Sequence, residues 1–556
     1  MKIALAQLNY HIGDFENNVI RIRSVLQKAR EQKADLVIFA ELAVCGYPPR
    51  DFLEFDDFIR KSNDAILEIA KDCSDIAAII GGPSVNTAEK GKPLYNTAFF
   101  LAEGKVVSMA HKTLLPNYDV FDEYRYFEPN RLPYSVTEYK GHKLAITICE
   151  DLWNISDDPL YVRNPMDELS ALSPDLIINI AASPFHYGQR EMRKEVLVRN
   201  ATAYSLPVMY VNHVGGQTEL LFDGGSMVVS PDGKVIEELN YFEEDLRYYD
   251  LDEISKTGKT EKPSTAQSKI ERIHDALVMG IRDYFSKMGF SKAILGLSGG
   301  IDSAVTLVLA ARALGSQNVK AILLPSRYSS QHSITDAVDL AENLNVSYDQ
   351  ISIDDAFSAF EQTLSPIFSG LPFGLAEENM QARARAVILM AISNKLGYIL
   401  LNTSNKSEAA VGYGTLYGDM CGGISVLGDV YKTEVYELAA LINKKKEIIP
   451  LSSITKPPSA ELRPDQKDSD SLPDYAVLDK ILYEYIEHRK GPNDLISEGF
   501  EEEVVRKILK LVNTSEYKRY QTPPILRVSP KAFGTGRRLP IVARYLSVAE
   551  KTATRK

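Results

Sequence analysis

The chain has 556 residues, 45% of them hydrophobic and 25% charged, which exceeds one ordinary core and excludes a disordered or fibrous chain. Its 63 basic and 75 acidic residues leave a net charge of −12, unsuited to holding a phosphate backbone, so nucleic acid is set aside as a partner. Two or more globular domains are expected. Apolar strand candidates recur in chain order at KIALAQL, DLVIFAE, IAAIIGG, LYNTAFFLA, KLAITICED, DLIINIAAS, PVMYVNHV and SMVVSP, separated by helical patterns such as NNVIRIRSVLQKAR and REMRKEVLVRNATAY. This alternation predicts an α/β layered domain over residues 1–251. Residues 252–268, DEISKTGKTEKPSTAQS, are polar and carry Pro263, as a connector does. From 269 to 556 the pattern resumes with AILGL, VKAILLP, YDQISI and YILLNTS between helices, predicting a doubly wound parallel sheet with its ligand crevice at the carboxyl ends of the strands. The final residues, EKTATRK, read as a frayed tail.

No apolar stretch reaches the length of a bilayer crossing, and MKIALAQLNY suits a strand rather than a signal peptide, so no membrane partner is expected. Cys45, Cys73, Cys149 and Cys421 are scattered without a Cys-x-x-Cys pair. Neither a disulfide framework nor a structural zinc site is therefore expected, and a reducing, cytoplasmic setting fits. Cys45 and Cys73 read as core thiols. The eight histidines are dispersed and none is assigned to a metal.

Three segments of the first half carry chemistry unusual for a core: FAELAVCGYPPRD around Glu41, AHKTLLPNYDVFDEYRYFEP around Lys112, and LAITICEDLWN around Cys149. Each of these residues ends or closely follows a strand candidate. Glu150 and Asp151 follow Cys149 at once and raise its thiol pKa unless a cation and a base compensate. Lys112 is a candidate for the cation and Glu41 for the base. A carboxylate that takes the thiol proton and an ammonium that stabilises an oxyanion form a set able to attack an amide or nitrile carbon.

In the second half, AILGLSGGIDSAVTLVLAARALG runs an apolar strand through Ser298, Gly299, Gly300, Ile301, Asp302 and Ser303 into a helix. Two glycines let the backbone approach an anion, the amides at the helix start donate to it, and Ser298 and Ser303 add hydroxyls. Asp302 is placed to hold Mg2+. The segment lacks the Gly-Lys-Ser/Thr of kinase-type loops and the Gly-x-Gly-x-x-Gly of dinucleotide folds.

The first-half segments resemble the nitrilase-amidase family over about residues 1 to 250. That resemblance implies an αββα sandwich, a thioester intermediate, and Glu41, Lys112 and Cys149 as catalytic residues, with Glu123 as a further acidic group. Tyr118, Phe121, Glu150 and Ser183 match glutamine-binding positions of its glutaminase branch, and Gln189, beside Arg190, stands where that branch commonly has a basic residue. The cradle resembles the pyrophosphate loop of enzymes that split ATP into AMP and pyrophosphate. With ENMQARARAVILMAISN, LLNTSNKSEAAVGYGTLYGDMCGG and the SLPDY-bearing loop, the second half resembles the NAD synthetase family over about residues 269 to 540. Joined in one chain, the two resemblances imply glutamine hydrolysis feeding ammonia to deamido-NAD that ATP has adenylated, with Mg2+ as cofactor. Carried over by motif, Ser298, Gly299, Gly300, Asp302, Ser303, Thr403, Lys432 and Ser459 are expected at ATP. Asn379, Arg383, Asp419 and Lys531 are expected at deamido-NAD, and Asp302 and Glu408 at the metal. The resemblance also implies a homo-oligomer. An amidotransferase with another adenylated substrate, such as GMP synthetase or asparagine synthetase, shares the cradle but lacks the SLPDY-type loop. A nucleotide-sensing protein with a lapsed site is disfavoured by the presence of Cys149, Lys112 and Asp302. The loop from Glu461 to Tyr475, polar and carrying Pro464 and Pro473, is expected to be disordered until it closes over nucleotides.

Overall fold

In the computed structural model, which describes residues 1–254, 267–464, 466–543 and 545, the first apolar run becomes the strand Lys2–Gln7. It pairs in parallel with Leu36–Ile38 and antiparallel with Asp245–Asp250, and the sheet continues through Ala77–Val85 and Leu94–Ala102 to Lys105–His111. A second six-stranded sheet runs in spatial order Val235–Glu238, Met227–Val229, Val208–Val211, Leu176–Ile180, His142–Ile148 and Thr137–Tyr139. The two sheets face each other across one apolar core that includes Ile3, Leu5, Ile38, Ile146, Ile178 and Met209. Helices Phe15–Glu31 and Asp56–Lys71 cover the first sheet and Gln189–Tyr204 the second, which makes the four-layer αββα sandwich. The apolar runs expected as strands are strands, because a strand buried on both faces reads as continuous hydrophobicity. Lys105–His111 and Asp245–Asp250 escape that signal. Both lie at sheet edges, where one face meets water and charged residues interrupt the pattern.

Two compact units divide the chain, Met1–Gln267 and Ser268–Lys556. The start of the expected connector is helical, since Leu251–Ile254 forms a short helix that buries Leu251 and Ile254. Residues 255–266 lie outside the described residues, as do 546–556 with the tail. Ser268 then opens the helix Lys269–Met288 with a capping box, its hydroxyl accepting from the Glu271 amide while the Glu271 carboxylate accepts from the Ser268 amide.

The second unit holds a five-stranded parallel sheet in the order Ser347–Gln350, Val319–Leu323, Ala293–Gly296, Ile399–Asn402, Ile424–Ser425. The chain builds outward from Ala293–Gly296 to one side and then crosses to the other. The carboxyl end of that central strand is the switch point where such sheets bind ligands. A separate helical cluster, including Leu478, Leu482, Val505, Leu509 and Val512, packs against the short helix Lys406–Val411. Among the described residues, no helix is long and apolar enough to cross a membrane.

The loop expected to lack a resting structure is instead fastened. The Glu461 carboxylate accepts from the Ser330 amide and from the Ser330 and Ser333 hydroxyls. The Gln381 amide donates to the Leu462 carbonyl at 2.8 Å, Asp468 accepts from Tyr413 and Tyr475, and Leu472 is buried in the helical cluster. Its polar residues find partners on neighbouring elements, which composition alone does not reveal.

Candidate functional site

In the first unit the three separated segments converge where strands end. Glu41 follows Leu36–Ile38, and its turn lies so close to Ala77–Val85 that a Cβ on Gly81 would stand 2.2 Å from the Leu42 amide nitrogen, so only glycine fits. Lys112 follows Lys105–His111, and Cys149 follows His142–Ile148 with a positive φ of 42°, a strained backbone for a non-glycine residue. Lys112 and Glu41 are wholly buried, and the Lys112 ammonium donates to Glu41 Oε1 at 2.7 Å and to both Glu123 oxygens at 2.9 and 2.8 Å. Asn96 donates to the same Glu41 oxygen, the Ala182 amide to the other, and the Tyr47 hydroxyl to Glu123. Burial works against the Lys112 charge, but Glu123 and Glu41 outweigh it and hold its pKa well above the ordinary value. Burial pushes the Cys149 thiol well up, Glu41 adds to the rise, and Lys112 opposes it. These effects favour the protonated thiol, which would need a proton acceptor to act as a nucleophile. Asn96 and Tyr47 were not among the sequence candidates, although an asparagine inside the buried run LYNTAFFLA was a usable signal.

The glutamine candidates form two groups around this cluster. Tyr118 and Tyr161 both donate to Glu150 Oε1, at 2.8 and 3.0 Å, and Phe121 packs edge-on against Tyr118. Burial raises the Glu150 carboxyl pKa and the tyrosine hydroxyls partly restore its charge. Gln189 donates to the Ser183 hydroxyl at 2.9 Å, and Asn212 holds the Ser183 amide. Arg190 turns to Glu238 in an ion pair at 2.9 Å that Tyr241 also joins. Asp151 buttresses the strand end by accepting from the amides of Thr113, Leu114 and Ile148. Tyr161 carried no sequence signal, because it reaches Glu150 from an irregular segment.

In the second unit Ser298–Gly300 join the central strand to the helix Ile301–Leu314. Gly299 has a φ of 77°, and a Cβ there would lie 2.1 Å from the Ser333 carbonyl oxygen. The Ser298 hydroxyl accepts from the Gly300 amide, and Ser303 donates to the Gly300 carbonyl. Asp302 accepts from Asn405 at 2.9 Å and forms an ion pair with Lys432, whose ammonium lies 3.9 Å from Glu408. Burial and then Asp302 raise the Glu408 carboxyl to about 8. Burial opposes the Lys432 charge, yet Asp302 and Glu408 hold its pKa above the ordinary value. Ser407 and Asp479 position Lys432, since Ser407 accepts from the Lys432 amide and donates to Asp479, which also accepts from the Thr433 amide.

Asn379 and Asp419 meet at Thr415, whose hydroxyl donates to the Asn379 side-chain oxygen Oδ1 and whose amide donates to the Asp419 carboxylate. Arg383 donates to the Leu416 carbonyl, and Thr403 follows the strand end at Asn402, whose amide group donates to the Asp419 carbonyl. Ser459 stands apart, exposed, and its hydroxyl donates to Gln466 within the same loop. Lys531 is placed through its carbonyl, which accepts from Lys406. Lys406 is itself fully buried between Asp429 and Glu487, both at 2.9 Å, and so ties the segment around Lys531 to the helix that carries Glu408.

Residues 2–258 match the Carbon-nitrogen hydrolase family and residues 273–522 the NAD synthase family. Glutamine-dependent NAD(+) synthetases of Synechocystis sp. and Acinetobacter baylyi are each 45% identical, over 98% and 97% of this chain and 99% and 98% of their own lengths. The solved glutamine-dependent NAD+ synthetase of Acinetobacter baumannii, in complex with adenosine diphosphate, is 40% identical and aligns over 99% of both chains with a TM-score of 0.77. With two family matches in the order of its two units and such identity across nearly the whole length of its relatives, the chain belongs to the glutamine-dependent NAD(+) synthetase family.

Proposed function

We propose that the first unit hydrolyses glutamine and that the second uses the ammonia to convert adenylated deamido-NAD into NAD. The observation that carries this reading is the presence, in one chain, of a buried thiol, lysine and carboxylate cluster and a phosphate cradle whose aspartate pairs with a lysine. In the first unit Glu41 takes the Cys149 proton as sulfur attacks the amide carbon of glutamine, and the Lys112 ammonium meets the developing oxyanion. Collapse of that intermediate expels ammonia, which receives the proton from Glu41 and leaves a thioester that water then cleaves to glutamate. Glu150, with Tyr118 and Tyr161, offers a negative site for the glutamine α-ammonium. Ser183 and Gln189 offer neutral donors for its carboxylate, and Phe121 walls the side-chain slot.

In the second unit Ser298, Gly299, Gly300 and Ser303 hold the departing pyrophosphate of ATP while a nicotinate carboxylate oxygen of deamido-NAD attacks the α-phosphorus. Ammonia then attacks the acyl carbon and AMP leaves, so the amide nitrogen comes from glutamine and the displaced carboxylate oxygen departs with AMP. Two carboxylates sharing one lysine, with Glu408 raised by Asp302, form an oxygen donor set that fits Mg2+, which takes most of its remaining ligands from phosphate and water. Asp302 and Glu408 would hold the ion, and its charge would offset that of the phosphates. Lys432 and Thr403 serve ATP, while Asn379, Arg383, Asp419 and Lys531 serve deamido-NAD.

We assign residues 1–251 to the glutaminase, 252–268 to the connector and 269–556 to the synthetase. A homo-oligomer is supported by the exposed apolar residues Ile367, Leu371, Leu375 and Val387 on and between the helices Asp354–Phe368 and Leu375–Leu396. The four unpaired thiols support a cytoplasmic setting. The test is NAD formation from ATP, Mg2+ and deamido-NAD with glutamine or ammonium supplied separately. NAD is expected with both nitrogen sources, and absence of NAD with both would overturn the reading.

A further inference from the structure

Arg385 is a cation that this reading leaves without work. It lies on the helix Leu375–Leu396, one turn after Gln381 and one turn before Leu389. Gln381 donates to Leu462 of the fastened loop, and Leu389 lies 3.3 Å from where a Cβ on Gly296 would stand, against the strand that enters the cradle. Arg385 therefore sits between the loop and the cradle. Its Nε donates to the Leu324 carbonyl at 3.0 Å, just past the end of Val319–Leu323. Two residues back along that strand, the Ile322 carbonyl accepts from the Leu297 amide at the cradle's own start. The guanidinium is thereby fixed at the carboxyl end of Val319–Leu323, the strand that neighbours the one entering the cradle.

Half-buried there, Arg385 has no carboxylate within ion-pairing distance among the described residues. The carboxylates that face it from farther away are Asp419, Glu461 and Asp354, and each is committed elsewhere. Asp419 accepts from the Thr415 amide, Glu461 from Ser330 and Ser333, and Asp354 from the Arg327 amide and Ser352. By contrast, the buried Arg193 pairs with Asp223 at 2.7 Å and the buried Arg519 with Glu516 at 2.6 Å. Burial lowers the Arg385 pKa to about 10, the direction expected of a cation short of negative charge. A planar fork with its terminal nitrogens uncommitted matches the oxygens of a phosphoryl group better than any neutral ligand. Arg383, two residues earlier, faces Leu416 instead, so the two arginines serve different sides of the helix.

We propose that Arg385 binds the α-phosphoryl group of ATP, and of the acyl adenylate it becomes, on the Val319–Leu323 side of the cradle. The proposal rests on the synthetase reading of this unit. In the full chain, Arg385→Gln and Arg385→Lys are compared with the wild type for ammonium-dependent NAD formation and for inhibition by AMP and by adenosine, which differ in that phosphoryl group. Glutamine hydrolysis and thermal melting report on folding. Arg385→Gln is expected to lower kcat/KM for ATP by about tenfold to a hundredfold, the range for a lost charge-assisted hydrogen bond. It should also abolish the preference for AMP over adenosine, and Arg385→Lys should restore part of both. A purely structural arginine would lower the melting temperature and leave the AMP preference in place. That result, or unchanged ATP kinetics in both variants, overturns the proposal. A wild type that forms no NAD overturns the synthetase reading on which it rests.

Discussion

The two clusters handle buried charge in opposite ways. Around Cys149 the set is closed: Glu41 and Glu123 accept from Lys112, Asn96, Tyr47 and a backbone amide, and no exposed charge takes part. Around Asp302 the set is open, with one lysine shared unequally by two carboxylates, a Glu408 carboxyl raised to about 8, and Arg385 lacking a close counter-charge. The contrast fits the chemistry proposed for the two units. A covalent nucleophile attacks a neutral amide and needs its whole charge balance built into the protein. A site for two polyanionic nucleotides must instead hold cations and metal-binding oxygens whose balance the substrates complete.

The largest expected effect separates the two clusters outright. Cys149→Ala should lower glutamine-dependent NAD formation by about 10⁴-fold or more while sparing the ammonium-dependent reaction, because removing a nucleophile disables its whole unit. Equal loss with both nitrogen sources, measured in the same assay, would break the division. Asp302→Ala should lower NAD formation about a thousandfold with either source, as expected when charge on a transferring phosphoryl is left uncompensated. Ammonium-dependent turnover near the wild-type rate would show that the open cluster is not the ATP site.

A smaller effect concerns stability. Lys406→Met leaves Asp429 and Glu487 buried around an apolar chain, and should destabilise the second unit by about 3–5 kcal/mol. Calorimetry should show a lowered transition for that unit while glutamine hydrolysis survives; an unchanged melting profile would mean that water reaches the pair. The smallest effect tests how a neutral amide serves the closed cluster. Gln189→Ala should raise KM for glutamine about tenfold with kcat changed less, the cost of one hydrogen bond to a charged group. A fall in kcat with KM unchanged would place Gln189 with the reacting atoms instead.

Strand content, the two-part organisation and the cradle were legible in the sequence because each is a local property. Buried parallel strands read as apolar runs, and the Ser298–Ser303 segment carries its glycines and hydroxyls within six consecutive residues. Glu41, Lys112 and Cys149 were legible one by one as polar residues at strand ends, and resemblance grouped them. The pairing of Lys112 with Glu41 and the nearness of Cys149 to both are products of the sandwich, whose facing sheets bring three strand ends to one place. What only the tertiary structure decided is partnership. Tyr161 joins Glu150, Arg190 turns to Glu238, Glu461 fastens a loop expected to be loose, and Arg385 is left at the end of Val319–Leu323 without an ion pair among the described residues. The physical reason is range: propensity and patterning act over a turn or a strand, whereas the pairing of a buried charge depends on groups that the chain brings within a few ångströms from tens or hundreds of residues away.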